Sequence, residues 1–207
     1  LNVSSSAWTE VHNRHHSSPN HVDADPDIEI PGLAYTEEQA LGKKGILKFV
    51  AKYQAYFWLL IMSFSAFSIR LNHHRKVFLA FFVKAERDKL KHHLSEAILL
   101  GMGTSLYFWL VFSSLGAGKG VVFTIVNYLL TGLYMGTIFA TNHKGMPIVN
   151  KGGKSDFFHD QVLTSRNIKE NPLVNLWCGG LNYQIEHHLF PTMPRVNFSK
   201  AQKIVRP

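Results

Sequence analysis

Two short clusters in this chain carry side chains that bind transition metals. His12-Asn13-Arg14-His15-His16 lies near the start and Gln184-Ile185-Glu186-His187-His188 near the end. Each puts nitrogen or oxygen donors at positions i, i+3 and i+4, which share one face of a helix. Two such faces brought together would make a metal cage. Imidazole suits iron, zinc and copper, and several imidazoles without a thiolate leave a metal with open positions where oxygen can bind. The absence of sulfur in both clusters argues against a purely structural zinc. Trp8 and Val11 precede the first cluster, so a helix there has an apolar side and can aim its polar face at a metal. His73-His74 and His92-His93 are weaker patterns. They sit among Arg and Lys in a basic segment, and a solvated or headgroup-facing surface is expected for them.

The elements that must position these clusters are apolar. The chain has 207 residues, 46% of them apolar with 15 Phe, and the apolar residues gather in blocks, which favours a membrane protein over a soluble globule. Lys plus Arg number 22 against 14 Asp plus Glu, a formal net charge of +8. The basic residues flank the apolar blocks, so they are read as facing an anionic membrane and no nucleic acid is expected as partner. The single Cys178 excludes an internal disulfide and a multi-cysteine zinc site, and suits a reducing cytosolic side. The chain opens on Leu without a charged, apolar and cleavable leader pattern, and is read as a fragment or a processed chain.

A membrane-spanning helix needs about 20 apolar residues. The uncharged windows are Tyr53 to Ile69, Ala97 to Gly118 and Gly120 to Asn142. The last two qualify, and Gly118-Lys119-Gly120 between them predicts an antiparallel hairpin. The first window is short and has Lys43, Lys44, Lys48 and Lys52 before it and Arg70, Arg75, Lys76, Lys84, Arg87, Lys89 and Lys91 after it, so both its ends read as cytoplasmic. If the two clusters meet at one metal site, an even number of spans must separate them. Charge and ligand patterns therefore agree on one hairpin, about residues 95–142, with 53–69 interfacial or re-entrant. The alternative, in which 53–69 also spans and the clusters are unrelated, stays open. Gly132, Gly136 and Ala140 fall at i, i+4 and i+8, a stripe that allows close helix approach. Phe108, Trp109, Tyr128, Tyr134 and Phe139 offer an apolar lining, or lipid and packing contacts.

The two clusters, with Pro19-Asn20 and Asp25-Pro26-Asp27 after the first and Leu189-Phe190-Pro191 after the second, resemble the membrane fatty acyl desaturases. Gln184 in the first position of the last cluster resembles, more narrowly, the front-end desaturases of the delta-5, delta-6 and delta-8 type. Thr141-Asn142-His143, Gln161 and Thr164-Ser165-Arg166-Asn167 also follow that family's pattern, and the resemblance covers essentially the whole chain.

The resemblance implies an all-α, integral membrane helical domain with a transmembrane hairpin and a cytosolic histidine-box cap. Residues 1–207 would be part of a desaturase domain: a second histidine box in 1–45, an interfacial or re-entrant segment at 53–69, a hairpin at about 95–142 and the third-box region in 143–207. It implies two non-haem iron ions, O2 as co-substrate, and metal ligation by His12, His15, His16, His143, Gln184, His187 and His188. The family's first histidine box lies upstream of the second and is not in this sequence, and no His-Pro-Gly-Gly motif of a fused haem module is present. Electrons are therefore expected from an external cytochrome b5-type or ferredoxin donor. The substrate is expected to be an acyl-CoA or acyl-lipid, with membrane lipid as partner, in the endoplasmic reticulum of a eukaryote or the inner membrane of a bacterium with the active site cytosolic. The expected reaction places a double bond between an existing one and the carboxyl end. A histidine-box lipid hydroxylase, and a metal-binding membrane protein inactive as truncated, are the alternatives. Glu10, Glu186, Asp156 and Asp160 are candidates to orient ligating imidazoles, and the basic run Lys84 to Lys91 to meet headgroups, an acidic cytochrome or a carrier phosphate.

Overall fold

The computed structural model describes residues 2–83, 90–150, 152 and 156–205. Among these the secondary structure is helical, apart from a single bridge between His21 and Val149. The helices are α1 (Ser5–Ser17), α2 (Glu37–Gly42), α3 (Gly45–Lys52), α4 (Gln54–Ser63), α5 (Ser65–Ala80), α6 (Leu90–His143), α7 (Phe157–Leu163), α8 (Pro172–Cys178), α9 (Gln184–Leu189) and α10 (Phe198–Val205). The chain divides into two compact units, Leu1–Val11 with Leu59–Met135, and His12–Trp58 with Gly136–Pro207.

In the first unit, Ser4 caps α1, its Oγ accepting from the Ala7 N–H at 3.0 Å. The buried Glu96 carboxylate accepts from Ser4 Oγ at 3.0 Å and from the Ser6 N–H at 2.8 Å, tying the first turn of α1 to α6. Helix α6 covers 54 residues but breaks at Gly116, where φ is 71° and ψ 174°. Tyr107 and Tyr128 lie on either side of the break and stack with ring centroids 5.9 Å apart. In a straight helix they would be about 30 Å apart, so the two arms run side by side. Arg70 lies over both rings, 4.6 Å from Tyr128 and 5.6 Å from Tyr107. The reversal falls at Gly116 and not at Gly118-Lys119-Gly120, which stays helical; the Gly116 backbone angles are ones that only glycine adopts without strain. Gly120 is instead helical and lets the arms close up, since a Cβ there would meet the Phe112 ring at 2.9 Å.

Gly132, Gly136 and Ala140 are all buried, and the close approach that their spacing allows is seen at Gly132. A Cβ on Gly132 would lie 2.2 Å from the Ser63 carbonyl oxygen, where α4 gives way to α5 with a bend of 54°. Among the described residues one helix, α6, is long and apolar enough to cross a membrane, or two if the bent α4–α5 pair counts as one span. Only 11% of its apolar window is buried in the protein. Trp109 and Tyr134 are exposed, whereas Tyr128 is buried against Phe67 and Tyr107. His73 and His93 correct the expectation of a solvated face: both are buried, and His74 bonds Thr104 Oγ1 at 3.1 Å. The side chains of the basic run Lys84 to Lys91 lie outside the described residues.

In the second unit, α1 ends in the segment Ser18 to Asp25, pinned by backbone bonds from Val22 N–H to Val149 O and from Val149 N–H to Asn20 O, both 3.0 Å. Asn171 caps α8 and Gly179, at φ 56°, ends it in the left-handed region. Gly180 follows at φ 88° against Arg195, whose Cβ would lie 3.2 Å from a Cβ on the glycine. This double turn redirects the chain into α9, which packs against α7 and α10. Tyr183 supplies no side-chain cap to α9. Asn167 does so from outside the helix, accepting from the Ile185 N–H at 2.9 Å and donating to Glu186 Oε2 at 2.7 Å.

Candidate metal centre

Six of the seven expected ligands converge as two groups of three imidazoles. His15, His143 and His188 form one and His12, His16 and His187 the other, the ligand atoms of each group lying within 4.8 Å of one another. The i, i+3, i+4 spacing is thus divided between two sites. His12 and His16, one turn apart on α1, approach at 3.1 Å between Nε2 atoms, and His16 Nε2 is 3.1 Å from His187 Nε2. His15 points to the other group, 3.3 Å from His143 between Nε2 atoms. His187 and His188 separate in the same way, because neighbouring residues of a helix point about 100° apart. His16 and His188 stack with centroids 4.2 Å apart, so the two groups share a wall. Gln184, the seventh, lies beside the first group, its Nε2 3.0 Å from His143 Nε2.

The tautomers of the first group follow from their partners. His143 Nδ1 is 3.0 Å from the Thr164 carbonyl oxygen. A carbonyl only accepts, so Nδ1 carries the proton and Nε2 a lone pair. Gln161 donates through Nε2 to the His16 carbonyl at 3.0 Å, which turns its Oε1 to His188 Nδ1 at 2.8 Å and protonates that nitrogen. His188 Nε2 is then an unprotonated, buried atom with no hydrogen-bond partner in the protein. His15 Nδ1 donates to the Asp25 carboxylate at 3.0 Å. Asp25 is fully buried and is itself held by the Asn20 N–H at 2.7 Å and the Asp27 N–H at 2.9 Å. The three Nε2 atoms therefore converge, that of His143 meeting the Gln184 NH2 and that of His188 left without a partner, an arrangement that suits a cation. Orientation of each imidazole through its second nitrogen is what metal-binding histidines require.

The electrostatics agree. Burial, then the neighbouring imidazoles, push His16 and His143 down to about 3. Burial, then His12, pushes His187 down to about 4, and burial with His143 holds His188 well below the ordinary range. These rings stay neutral and able to ligate at neutral pH. His15 differs: burial opposes its charge, but its hydrogen bond to Asp25 and the nearby carboxylates outweigh that and raise its pKa.

The carboxylates singled out from the sequence as imidazole orienters do other work. Asp160 bonds His21 at 2.9 Å, Asp156 caps α7 and bonds His159, Glu10 pairs with Lys76 at 2.5 Å, and Glu186 bonds Asn167. The orienters are Asp25, Gln161 and the Thr164 carbonyl. Asp25 and Gln161 belong to motifs visible in the sequence, but their contacts are set by chain folding and carry no periodic signal. His73-His74 and His92-His93 join neither group.

Two histidine triads built from opposite ends of the sequence, beside a long apolar helix, are a candidate metal-binding arrangement. The chain matches the family model described as Fatty acid desaturase over residues 1–207, and it belongs to that family. It is similar to the acyl-lipid (9-3)-desaturase of Physcomitrium patens, 33% identical over 213 residues that cover 97% of this chain and 38% of that protein. The delta(6)-fatty-acid desaturase fat-3 of Caenorhabditis elegans is 29% identical over 96% of this chain and 46% of its own. The delta(8)-fatty-acid desaturase of Euglena gracilis is 30% identical over 93% of this chain and 46% of its own. The chain spans less than half the length of these relatives. No solved structure matches it.

Proposed function

We propose that this chain carries the second and third histidine boxes of a di-iron, oxygen-dependent front-end fatty acyl desaturase. The observation that carries the reading is the pair of histidine triads, with the Nδ1 atoms of His15, His143 and His188 engaged and their Nε2 lone pairs converging. His15, His143 and His188 would hold one iron, and His12, His16 and His187 the other, with ligands still to be added from the first box. Bound iron supplies oxidation by O2 of an unactivated methylene pair, which has neither an acidic proton nor a leaving group. Overall, two hydrogens leave adjacent carbons, and O2, two electrons and two protons complete the formation of one double bond and two waters. Asp25, Gln161 and Thr164 hold the imidazoles in one tautomer, and their burial excludes water from the inner wall of the site. No side chain is required as nucleophile or general base.

The membrane assignment is part of the same proposal. The two arms of α6 form a transmembrane hairpin at about 95–142, the segment 53–69 within the bent α4–α5 pair is interfacial or re-entrant, and 1–45 with 143–207 make a cytosolic cap. The apolar surface that α6 leaves exposed supports this. Front-end placement of the double bond rests on Gln184 in the third box and on the delta(6) and delta(8) activities in the names of the relatives. An acyl-CoA or acyl-lipid substrate and a cytochrome b5-type or ferredoxin donor complete it.

The test is expression of the full-length protein in a host fed polyunsaturated fatty acids, with fatty acid profiling and a His188→Ala control. A new double bond on the carboxyl side of an existing one, lost in the control, is the expected result. Hydroxy acids would indicate a hydroxylase, and bound iron without product would leave a metal-binding protein.

A further inference from the structure

Gln184 occupies the position of a histidine, and its amide has two ends: an oxygen able to bind metal and an NH2 group that is not. The surrounding hydrogen bonds decide which end faces the imidazoles. The Leu181 carbonyl, 2.9 Å from Asn142 Nδ2, only accepts, so Asn142 must present its NH2 there. The same NH2 donates to Gln184 Oε1 at 3.0 Å. Asn142, Gln184 and His188 are all buried. With its oxygen engaged, Gln184 turns its own NH2 to His143 Nε2 at 3.0 Å. Reversing the Gln184 amide would set two NH2 groups face to face. Reversing Asn142 as well would set its oxygen against the Leu181 carbonyl. Neither arrangement is tolerable in a buried site. Because the His143 Nδ1 proton is committed to Thr164, His143 Nε2 has the lone pair that the Gln184 NH2 meets, and a metal on that nitrogen would displace this contact.

We infer that Asn142 is a positioning residue that holds Gln184 as a hydrogen-bond donor to an exogenous ligand of the metal at the His15, His143 and His188 site, and that Gln184 is not itself a metal ligand. The inference rests on the metal-centre reading proposed above. An amide nitrogen has its lone pair delocalised into the carbonyl and does not coordinate, so the geometry separates this chain from one with histidine at position 184 in function as well as in residue type. The site would keep its protein ligands and gain a donor for whatever anionic or oxygen-containing group occupies the remaining position.

Azide serves as the probe, titrated into the oxidised, iron-loaded, full-length protein in detergent, with iron per chain measured alongside. Gln184→Leu is expected to retain the wild-type iron content and to weaken azide binding about tenfold, the effect of one hydrogen bond to an anion. Asn142→Leu frees the Gln184 amide to turn and is expected to weaken azide in the same direction, with the double variant no weaker than Gln184→Leu alone because the two residues act through one bond. Gln184→Glu, which offers only acceptors when ionised, is a second variant of near-native size, expected to keep iron and weaken azide. Loss of iron in Gln184→Leu together with its retention in Gln184→Glu would identify Gln184 as a ligand and overturn the inference alone. Equal azide affinity in wild type and Gln184→Leu at equal iron content would also overturn it. Wild-type protein that binds no iron would overturn the metal-centre reading and this inference with it.

Discussion

Gln161 bridges the two histidine boxes: its Nε2 donates to the backbone carbonyl of His16, and its Oε1 accepts from His188 Nδ1 at 2.8 Å. One amide thereby joins α1 to α9 and fixes the nitrogen that His188 leaves for a metal. The carbonyl at one end determines the tautomer at the other.

Replacement of Gln161 by Leu keeps the bulk and removes both bonds. Iron affinity of the full-length protein is expected to fall by about 10- to 100-fold, the usual cost of removing a partner from a metal-binding histidine. Gln161→Glu keeps the acceptor for His188 but sets an oxygen against the His16 carbonyl, and is expected to lower the thermal midpoint. Metal titration and thermal unfolding of the two variants separate these effects. Undiminished iron binding in Gln161→Leu would count against the assigned role.

Asp25 accepts from His15 Nδ1 and from two backbone N–H groups, so all of its acceptor capacity on that side is used. In Asp25→Asn one oxygen becomes an NH2 facing a backbone donor whichever way the amide turns. A loss of about 1–3 kcal/mol is expected from the unsatisfied buried group, with weaker iron binding through the misoriented His15. Asp27→Asn, at an exposed carboxylate 3.6 Å from His15 Nδ1, leaves the hydrogen bonds of Asp25 in place and should lower both properties less than Asp25→Asn.

Gly116 and Gly118 make a matched pair for testing the reversal in α6. Neither has a neighbour that a Cβ would meet within 4 Å, but Gly116 sits at φ 71° and Gly118 is helical. Gly116→Ala is expected to destabilise by about 1–3 kcal/mol from backbone strain alone. Gly118→Ala should be neutral or stabilise by about 0.5–1 kcal/mol. Thermal midpoints of the two variants in detergent provide the comparison, and equal midpoints would place the turn elsewhere.

Acid should destabilise the metal-free protein. The folded values of His16 and His143, about 3, and of His187, about 4, lie below the ordinary value of 6.5. The unfolded chain therefore binds protons between about pH 6.5 and 4 that the folded chain does not, and stability present above pH 6.5 is lost as pH falls through that window. His15, shifted upward, opposes the trend by one group. The thermal midpoint is expected to be lower at pH 5 than at pH 7.5. A flat profile would mean that these imidazoles are charged in the folded state.

The sequence by itself determined the family and the helical class. Histidines at i, i+3 and i+4 lie on one side of a helix because the α-helix repeats every 3.6 residues, and runs of uncharged apolar residues mark α6 as long and apolar enough to cross a membrane. The close approach at Gly132 was legible from its spacing with Gly136 and Ala140 for the same reason. What only the tertiary structure decided are contacts between residues far apart in the chain: the sorting of six histidines into two triads, the choice of Gly116 as the break, and the partners Asp25, Gln161, Thr164 and Asn142 that fix each ring and amide. Local periodicity places a side chain on a face. Which lone pair it presents depends on a donor or acceptor brought to its other end by folding, and no spacing rule encodes that.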